Sequence, residues 1–275
     1  MSQWNRPPGP EIIAFTEHKG GERKARGTIA ICTRERISTA VAMSWWLSDY
    51  SFLGAEEYVK RFIVQGNILT LQRNECVRQM EGDWILFTDD DMYWDPPMIK
   101  RLVDTRDEHD LDIVGGLCFQ RGEPYQPTMY MRNNPTSGGY NFLEKWDDGA
   151  VLEVDATGLA FLLITKRAIE KVLGGALPDF EQRQKLPPPP IFKWDGRYGE
   201  DFSFCQEAKD VGLSIFVDTS VKIGHLGTLQ IDEKTFLREL ALRSPEDEMI
   251  RTKLNGDMGL PTMTAAEARE KLGWT

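Results

Sequence analysis

The stretch that decides the fold is WILFTDDD, which occupies residues 84–91. Its first four residues, 84–87, form an apolar run typical of a buried strand, and three aspartates follow at 89–91. In an open parallel sheet, ligands bind beyond the carboxyl ends of the strands. We therefore predict an α/β sheet with a functional site at the three aspartates.

The segments around this stretch repeat the order of a strand followed by a helix. Apolar runs at 29–32 and 61–65 precede helical patterns at 37–50 and 68–81. This alternation predicts parallel strands with crossover helices, so residues 28–115 are interpreted as a nucleotide-binding half.

Beyond residue 116 the pattern changes to short strand candidates separated by loops rich in glycine, asparagine and proline. Three of them, at 128–131, 140–145 and 151–155, predict a small antiparallel extension. The remaining expected elements are a buried strand at 159–164, helices at 166–173 and 200–211, and strands at 214–217 and 221–223.

A single α/β domain with a mostly parallel central sheet is predicted to span residues 28–228, its second half being 116–228. The length of 275 residues and the 41% hydrophobic content are ordinary for one large globular domain. Residues 1–27 contain prolines and a basic cluster at 19–26, and are interpreted as a flexible arm. Residues 229–275 are predicted to form a polar helical tail.

Charge and composition argue against some classes of function. The net charge of −10 provides no long-range attraction to nucleic acid or anionic lipid. No apolar run approaches the roughly 18 residues that cross a bilayer, and the polar start predicts a cytoplasmic protein. The four cysteines, without a Cys-x-x-Cys pair, are expected to be buried thiols.

The aspartate triplet predicts a metal site. Residues two apart on an extended segment point to one side, so Asp89 and Asp91 would present their carboxylates together while Asp90 points away. Two such carboxylates repel each other unless a cation lies between them, and a hard divalent ion can also bind diphosphate oxygens. Capping of the next helix is the alternative, but Asp95 before two prolines is already an expected N-cap.

Two further features are candidates for the same site. Glu200 and Asp201 begin a predicted helix, close to the aromatic residues Trp194 and Tyr198. Acidic residues are also common at helix N-termini for electrostatic reasons alone, so both readings stay open. His225 lies between glycines after a predicted strand, where an imidazole could be a third ligand of a manganese-class metal or a structural residue.

Taken together, these features resemble the metal-dependent, family-2-like GT-A glycosyltransferases with an Asp-x-Asp motif. The matching pieces, in chain order, are Thr33-Arg34, Arg73-Asn74, residues 87–91, Gly199-Glu200-Asp201 and Gly224-His225. The first strand departs from the family in having Cys32 where a proline is usual, and the aspartate triplet leaves the metal ligands ambiguous by one position.

The resemblance implies a role for each matching residue. Asp91 and His225 would coordinate Mn²⁺ or Mg²⁺, and Asp89 would assist the metal or bind ribose. Asp201 would be the general base, with Glu200 supporting it. The residues expected to bind a donor, a UDP- or GDP-linked sugar, are Thr33, Arg34, Arg73, Asn74, Asp89, Asp90, Gly158 and Trp194. For Gly158, simple close packing is an equal alternative.

The implied reaction is transfer of a hexose or pentose to an acceptor hydroxyl, with inversion. The second half, 116–228, would bind the acceptor, and the proline-containing loop 178–198 could close over the donor. The acceptor could be a glycan, a protein, a small molecule or a modified nucleic-acid base. For a DNA base, the cluster 19–26 could contact phosphates.

Three other functions are considered. A sugar nucleotidyltransferase needs a glycine-rich phosphate loop, and residues 33–38 contain no glycine. A phosphatase of the aspartyl-phosphate type has Thr or Val two positions after its Asp-x-Asp motif, where this chain has Tyr93. A non-catalytic nucleotide-sugar-binding module should have lost some of the acidic residues, which are all present here.

Overall fold

The computed structural model describes residues 10–14, 23–122, 125–133 and 139–227. The chain divides into two compact units, Met1–Leu226 and Gly227–Thr275. The helical tail predicted at 229–275 lies outside the described residues.

Strands and helices alternate along the described chain. The strands are β1 (Glu11–Ala14), β2 (Lys24–Thr33), β3 (Glu57–Gln65), β4 (Trp84–Asp89), β5 (Met92–Tyr93), β6 (Ile113–Leu117), β7 (Met129–Arg132), β8 (Tyr140–Phe142), β9 (Val151–Val154), β10 (Ala156–Thr157), β11 (Phe161–Thr165), β12 (Ile215–Lys222) and β13 (Gly224–His225). The helices are α1 (Thr39–Leu47), α2 (Leu69–Gln79), α3 (Met98–Glu108), α4 (Lys166–Leu173), α5 (Phe180–Gln184) and α6 (Glu200–Asp210).

The central sheet has eight strands among the described residues, in the order β1-β3-β2-β4-β11-β6-β12-β9. Five of them, β3, β2, β4, β6 and β12, run in one direction, which confirms the prediction of a mostly parallel sheet. Strand β11 lies antiparallel between β4 and β6, and its five residues are all buried. Helices cover both faces, so the middle strands read as continuous apolar runs rather than alternating ones.

The predicted antiparallel extension exists, but one of its strands was assigned wrongly. It consists of β10, β7 and β8. The segment predicted at 151–155 instead forms β9, which pairs antiparallel with β12 at the edge of the central sheet. The two strands predicted at 214–217 and 221–223 are one strand, β12.

The described parts of the predicted flexible arm belong to the central sheet. Within residues 1–27, β1 pairs antiparallel with β3, and β2 begins at Lys24. A Cβ atom at Gly27 would overlap the Trp84 ring, so the basic stretch is already packed on the sheet there. Arg26 pairs with Asp107 at 3.1 Å, which leaves less of the predicted basic cluster for phosphate contacts.

Side-chain caps mark the start of three of the six described helices. The Ser38 hydroxyl accepts a hydrogen bond from the Val41 amide and caps α1, and Thr165 caps α4 in the same way. The expectation that Asp95 caps α3 is wrong. The helix begins at Met98, whose amide donates to the Asp95 backbone carbonyl, and the cap position is Pro97.

The four cysteines are buried and unbonded, as expected. Among the described residues, every helix is too short or too polar to cross a bilayer.

Candidate active site

The acidic turn is located by two short strands. Strand β4 ends at Asp89, and Asp90 and Asp91 form a tight turn into β5. Strand β5 pairs antiparallel with β13, which places Met92 opposite His225. A side chain at Gly224 would overlap the Tyr93 ring, so glycine is needed for this close pairing.

This pairing brings Asp91 and His225 into contact. The Nε2 atom of His225 lies 3.2 Å from the Oδ2 atom of Asp91. Its Nδ1 atom lies 2.8 Å from the Phe119 backbone carbonyl, which can only accept, so Nδ1 carries the hydrogen. In the neutral imidazole the lone pair therefore sits on Nε2, facing Asp91. The hydrogen bond to the Phe119 carbonyl thus fixes the orientation of the ring, as a hydrogen bond from the second ring nitrogen commonly does in metal-binding histidines.

The two groups shift each other's pKa in opposite directions. When the ring is protonated, Nε2 donates a hydrogen bond to Asp91, which raises the pKa of His225, and the Phe119 carbonyl adds to the effect. Burial alone would raise the pKa of Asp91, but His225 and Arg121 outweigh it and hold that pKa below its ordinary value. Asp91 is therefore kept ionised, as a metal ligand must be.

Arg121 is a site residue that the sequence analysis missed. Its guanidinium lies 2.8 Å from the Oδ2 atom of Asp91, and its side chain is 61% exposed. It comes from the loop after β6, and no motif marks it. Only the chain's return to this edge of the sheet places it beside the acidic turn.

Asp89 faces a different partner. Its Oδ1 atom lies 3.2 Å from a guanidinium nitrogen of the buried Arg73 on α2, which also donates a short hydrogen bond to Glu200. Arg73 thus joins the end of β4 to the start of α6. Burial and the neighbouring Asp91 raise the pKa of Asp89, while Arg73 opposes them. Of the two predicted aspartate ligands, only Asp91 contacts His225.

The first strand ends at the same edge. The Thr33 hydroxyl donates a 2.6 Å hydrogen bond to Asp90, so Asp90 points towards β2, and Arg34 next to it is exposed. Thr33 therefore contacts the acidic turn. Nucleoside binding by Thr33 and Arg34 stays a prediction.

Asp201 lies in the first turn of α6 with an environment unlike that of Asp91. Its Oδ1 atom accepts a hydrogen bond from the Phe202 amide at 2.8 Å. Burial raises its pKa above the ordinary aspartate value; the nearby Arg73 charge lowers it and Glu200 raises it further. No ion pair of Asp201 is formed within the described residues. A desolvated carboxylate with a raised pKa suits a proton acceptor.

Asn74 holds a loop. Its amide nitrogen donates to the Phe192 carbonyl at 3.0 Å, and its amide oxygen accepts from the amides of Ile191 and Phe192. The buried Arg183 likewise donates to three backbone carbonyls. The predicted closing loop 178–198 is therefore anchored as far as Phe192, and contact between Asn74 and the donor stays a prediction.

Gly158 and Trp194 are both accessible. A Cβ atom at Gly158 would find its nearest neighbours only at 4.0 Å, and its φ is not positive, so close packing does not explain this glycine. Trp194 is 74% exposed. Their predicted contacts with the donor stay predictions.

Asp91 and His225 fit a divalent cation by their donor chemistry, a carboxylate oxygen and an imidazole nitrogen. Within the described residues no three His, Cys, Asp or Glu side chains gather as a metal cluster. Two protein ligands leave coordination positions that diphosphate oxygens could fill.

Comparison with known proteins supports the fold. Residues 55–165 match the family model of glycosyl transferase family 2, and they include Arg73 and the acidic turn. The crystal structure of GalNAc-T7 with UDP, GalNAc and Mn²⁺ aligns over 93% of this chain and 55% of its own, with a TM-score of 0.50 and 12% identity. This chain has a GT-A fold.

Two other solved structures align with this chain at lower TM-scores. A TarS fragment from S. aureus has 16% identity and a TM-score of 0.43, over 82% of this chain and 66% of its own. The A197 protein from STIV has 17% identity and a TM-score of 0.43, over 75% of this chain and 86% of its own. This chain thus spans less than two thirds of the GalNAc-T7 and TarS chains. No curated protein matches its sequence significantly.

Proposed function

We propose that the chain transfers a sugar from a nucleoside-diphosphate donor, UDP- or GDP-linked, to an acceptor hydroxyl with inversion. The observation that carries this proposal is the pairing of Asp91 with a His225 ring whose Nδ1 is fixed by the Phe119 carbonyl. It lies at the end of β4, where an α/β sheet binds its ligands.

Asp91 and His225 would hold Mn²⁺ or Mg²⁺. When bound, the cation supplies Lewis-acid neutralisation of the diphosphate charge. The chain contributes an ionised carboxylate at Asp91 and a lone pair on Nε2 of His225, both oriented before any ligand arrives. While no cation is bound, the Arg121 guanidinium neutralises Asp91. The side chains of Asp91 and His225 therefore do not need the cation to hold their positions.

Arg73 supports the division of the site into two sides. It is buried, and its guanidinium contacts Asp89 and Glu200 together. Removing one partner would leave an uncompensated buried charge, which is costly. We infer that Arg73 fixes the distance between the donor side, at the acidic turn, and the acceptor side, at the start of α6.

Asp201 is the proposed general base. In a single displacement, the acceptor oxygen bonds to the anomeric carbon, the bond to the diphosphate oxygen breaks, and the hydroxyl proton passes to Asp201. Its burial and raised pKa favour proton uptake, since a base is most effective when its pKa is closer to the working pH. Inversion follows if the acceptor attacks opposite the leaving diphosphate.

The test is release of nucleoside diphosphate from a panel of UDP- and GDP-sugars, with Mn²⁺, Mg²⁺ or chelator. One donor should turn over with metal, and Asp91→Asn should lower the rate by about 100-fold or more. Asp104→Asn is the matched control, a partly exposed aspartate paired with Lys100 on α3, and should stay within about twofold of wild type.

The outcomes separate enzyme from binding module. Donor binding without turnover, unaffected by acceptors, would indicate a nucleotide-sugar-binding module instead. Neither binding nor turnover of any donor would overturn the proposal.

A further inference from the structure

Five aromatic side chains gather where the extension meets the start of α6, and we call them the aromatic wall. They come from β7, β8, the loop before α6 and α6 itself, and they are Tyr130, Tyr140, Phe142, Tyr198 and Phe202. Of these, only Tyr198 belongs to the sequence pattern considered for function.

Phe202 is the centre of the aromatic wall. Its ring centroid lies 4.8 Å from that of Tyr130 and 4.9 Å from that of Tyr140, both edge-on. Tyr198 stacks with Phe202 at 6.1 Å, and Phe142 contacts Tyr130 at 5.0 Å. These distances are those of favourable aromatic pairs, so the rings hold one another in fixed orientations.

The aromatic wall is not a closed core. Tyr130 is buried and forms its base, whereas Tyr140, Tyr198 and Phe202 are half-buried and Phe142 is 36% exposed. Adjacent, partly open rings on a rigid support are an apolar surface on which a ligand can lie.

Polar groups surround these rings. Arg132 donates a hydrogen bond to the Tyr140 hydroxyl at 3.2 Å, and Gln120 donates to the Tyr130 hydroxyl, also at 3.2 Å. The proposed base Asp201 directly precedes Phe202 in the chain, and its charge adds to the burial that raises the pKa of Tyr130. The aromatic wall and the base therefore lie side by side at the start of α6.

We propose that the aromatic wall is the acceptor subsite and that it takes a sugar ring of a glycan. This inference rests on the proposed function, because it names the acceptor class of the same site. A pyranose offers an apolar C–H face to the rings and hydroxyls to the polar groups around them. Stacked nucleic-acid bases would instead need a positive groove for the phosphates, and this chain has a net charge of −10 with Glu200 and Asp201 beside the rings.

The experiment measures binding of cellotriose, maltotriose and chitotriose, and of a single-stranded DNA oligonucleotide, to the full chain by calorimetry. Wild type should bind at least one trisaccharide at millimolar concentration or better. Tyr140→Leu and Phe142→Leu should each weaken that binding by roughly 5- to 20-fold, through loss of a ring face. Tyr140→Phe, which keeps the ring, should stay within about threefold.

Trp46→Leu on α1 is the matched control, because Trp46 is an aromatic residue 79% exposed outside the aromatic wall. It should bind the trisaccharide as wild type does. Circular dichroism of each variant checks folding, and if Tyr140→Leu unfolds, the more exposed Phe142→Leu gives the result.

Trisaccharide affinities unchanged in folded Leu variants would overturn the inference. So would failure of wild type to bind any of the three, or DNA binding that the Leu variants abolish. Nucleotide release by wild type is scored separately, so a chain that turns over a donor but fails these binding tests refutes the acceptor subsite alone.

Discussion

The turn after β4 and the start of α6 each carry an aspartate of the site, and their surroundings differ in almost every respect. Asp91 lies among polar partners, His225 and Arg121, that lower its pKa. Asp201 is desolvated, accepts a hydrogen bond from the Phe202 amide, and has a raised pKa. When the environments of two carboxylates shift their pKa values in opposite directions, the two groups commonly have different roles in one reaction. We assign a permanent anion to the donor side and a proton acceptor to the acceptor side.

The largest expected effect comes from removing the proton acceptor. Asp201→Asn should lower the rate of transfer to an acceptor by about 10²- to 10⁴-fold, because general-base catalysis contributes that much. The affinity for Mn²⁺ should stay unchanged. Asp210→Asn, at the other end of α6, is the control. Transfer reduced by less than about tenfold would break the assignment of Asp201 as the base.

The donor side should respond through the metal. His225→Gln should weaken Mn²⁺ binding by at least about tenfold, measured by calorimetry or by the electron paramagnetic resonance signal of free Mn²⁺, because an oriented nitrogen ligand is lost. His109→Gln, at the C-terminal cap of α3, is the matched control. Equal Mn²⁺ affinity in both variants would remove His225 from the metal site.

The two regions should also differ in the sign of their effect on stability without metal. His225 has a raised pKa, so its contribution is full below its ordinary value of 6.5 and is lost as pH rises through the folded-state pKa. Asp91 has a lowered pKa, so its contribution is present above 3.8 and is lost as pH falls through the folded-state pKa. The pair therefore stabilises the fold most between these two values.

At about pH 6 with chelator, Asp91→Asn should lower the melting temperature by a few degrees, since it breaks this pair. Asp201→Asn should raise it, because an ionised, desolvated carboxylate disfavours the folded state, and this gain should disappear when acid protonates Asp201. The melting temperatures of both variants and of wild type, measured by calorimetry across pH, test these two shifts. Shifts of the same sign would mean that the two carboxylates are not in opposite states.

The smallest expected effect sharpens the donor side. Arg121 competes with a cation for Asp91, but its side chain is 61% exposed, and ion pairs at the surface are worth at most about 1 kcal/mol. Arg121→Gln should therefore tighten Mn²⁺ binding by up to about fivefold. Arg167→Gln, a similarly exposed arginine paired with Asp112, should leave it unchanged. Weaker Mn²⁺ binding in Arg121→Gln would mean that Arg121 helps rather than competes.

Local sequence was sufficient for the parts of the site that lie at element ends. The apolar run before Asp89 predicted β4, and the acidic residues Glu200 and Asp201 predicted the start of α6. Both signals are local, because burial of a strand and the electrostatics of a helix end depend on a few neighbouring residues. The helix at Lys166–Leu173 was predicted to the residue, since Thr165 caps it and Gly174 ends it in the left-handed conformation.

Long-range pairing could not be predicted in this way. The period of an apolar run does not tell which strand it joins or in which direction, so β9 was placed in the wrong sheet and the antiparallel insertion of β11 was not foreseen. Arg121 and the Phe119 carbonyl were missed for the same reason. Their function depends on which segments meet, and a backbone carbonyl has no sequence signature at all.

The pairing of β5 with β13 has a consequence for how the chain is made. A protein is synthesised from its N-terminus, so Asp91 leaves the ribosome long before His225. Until Gly224 and His225 fold back onto β5, the acidic turn lacks its partner. A ligand that binds only the native chain stabilises only that chain. A cation bound at the proposed site would therefore stabilise chains in which β13 is paired with β5, and would not stabilise chains truncated before His225.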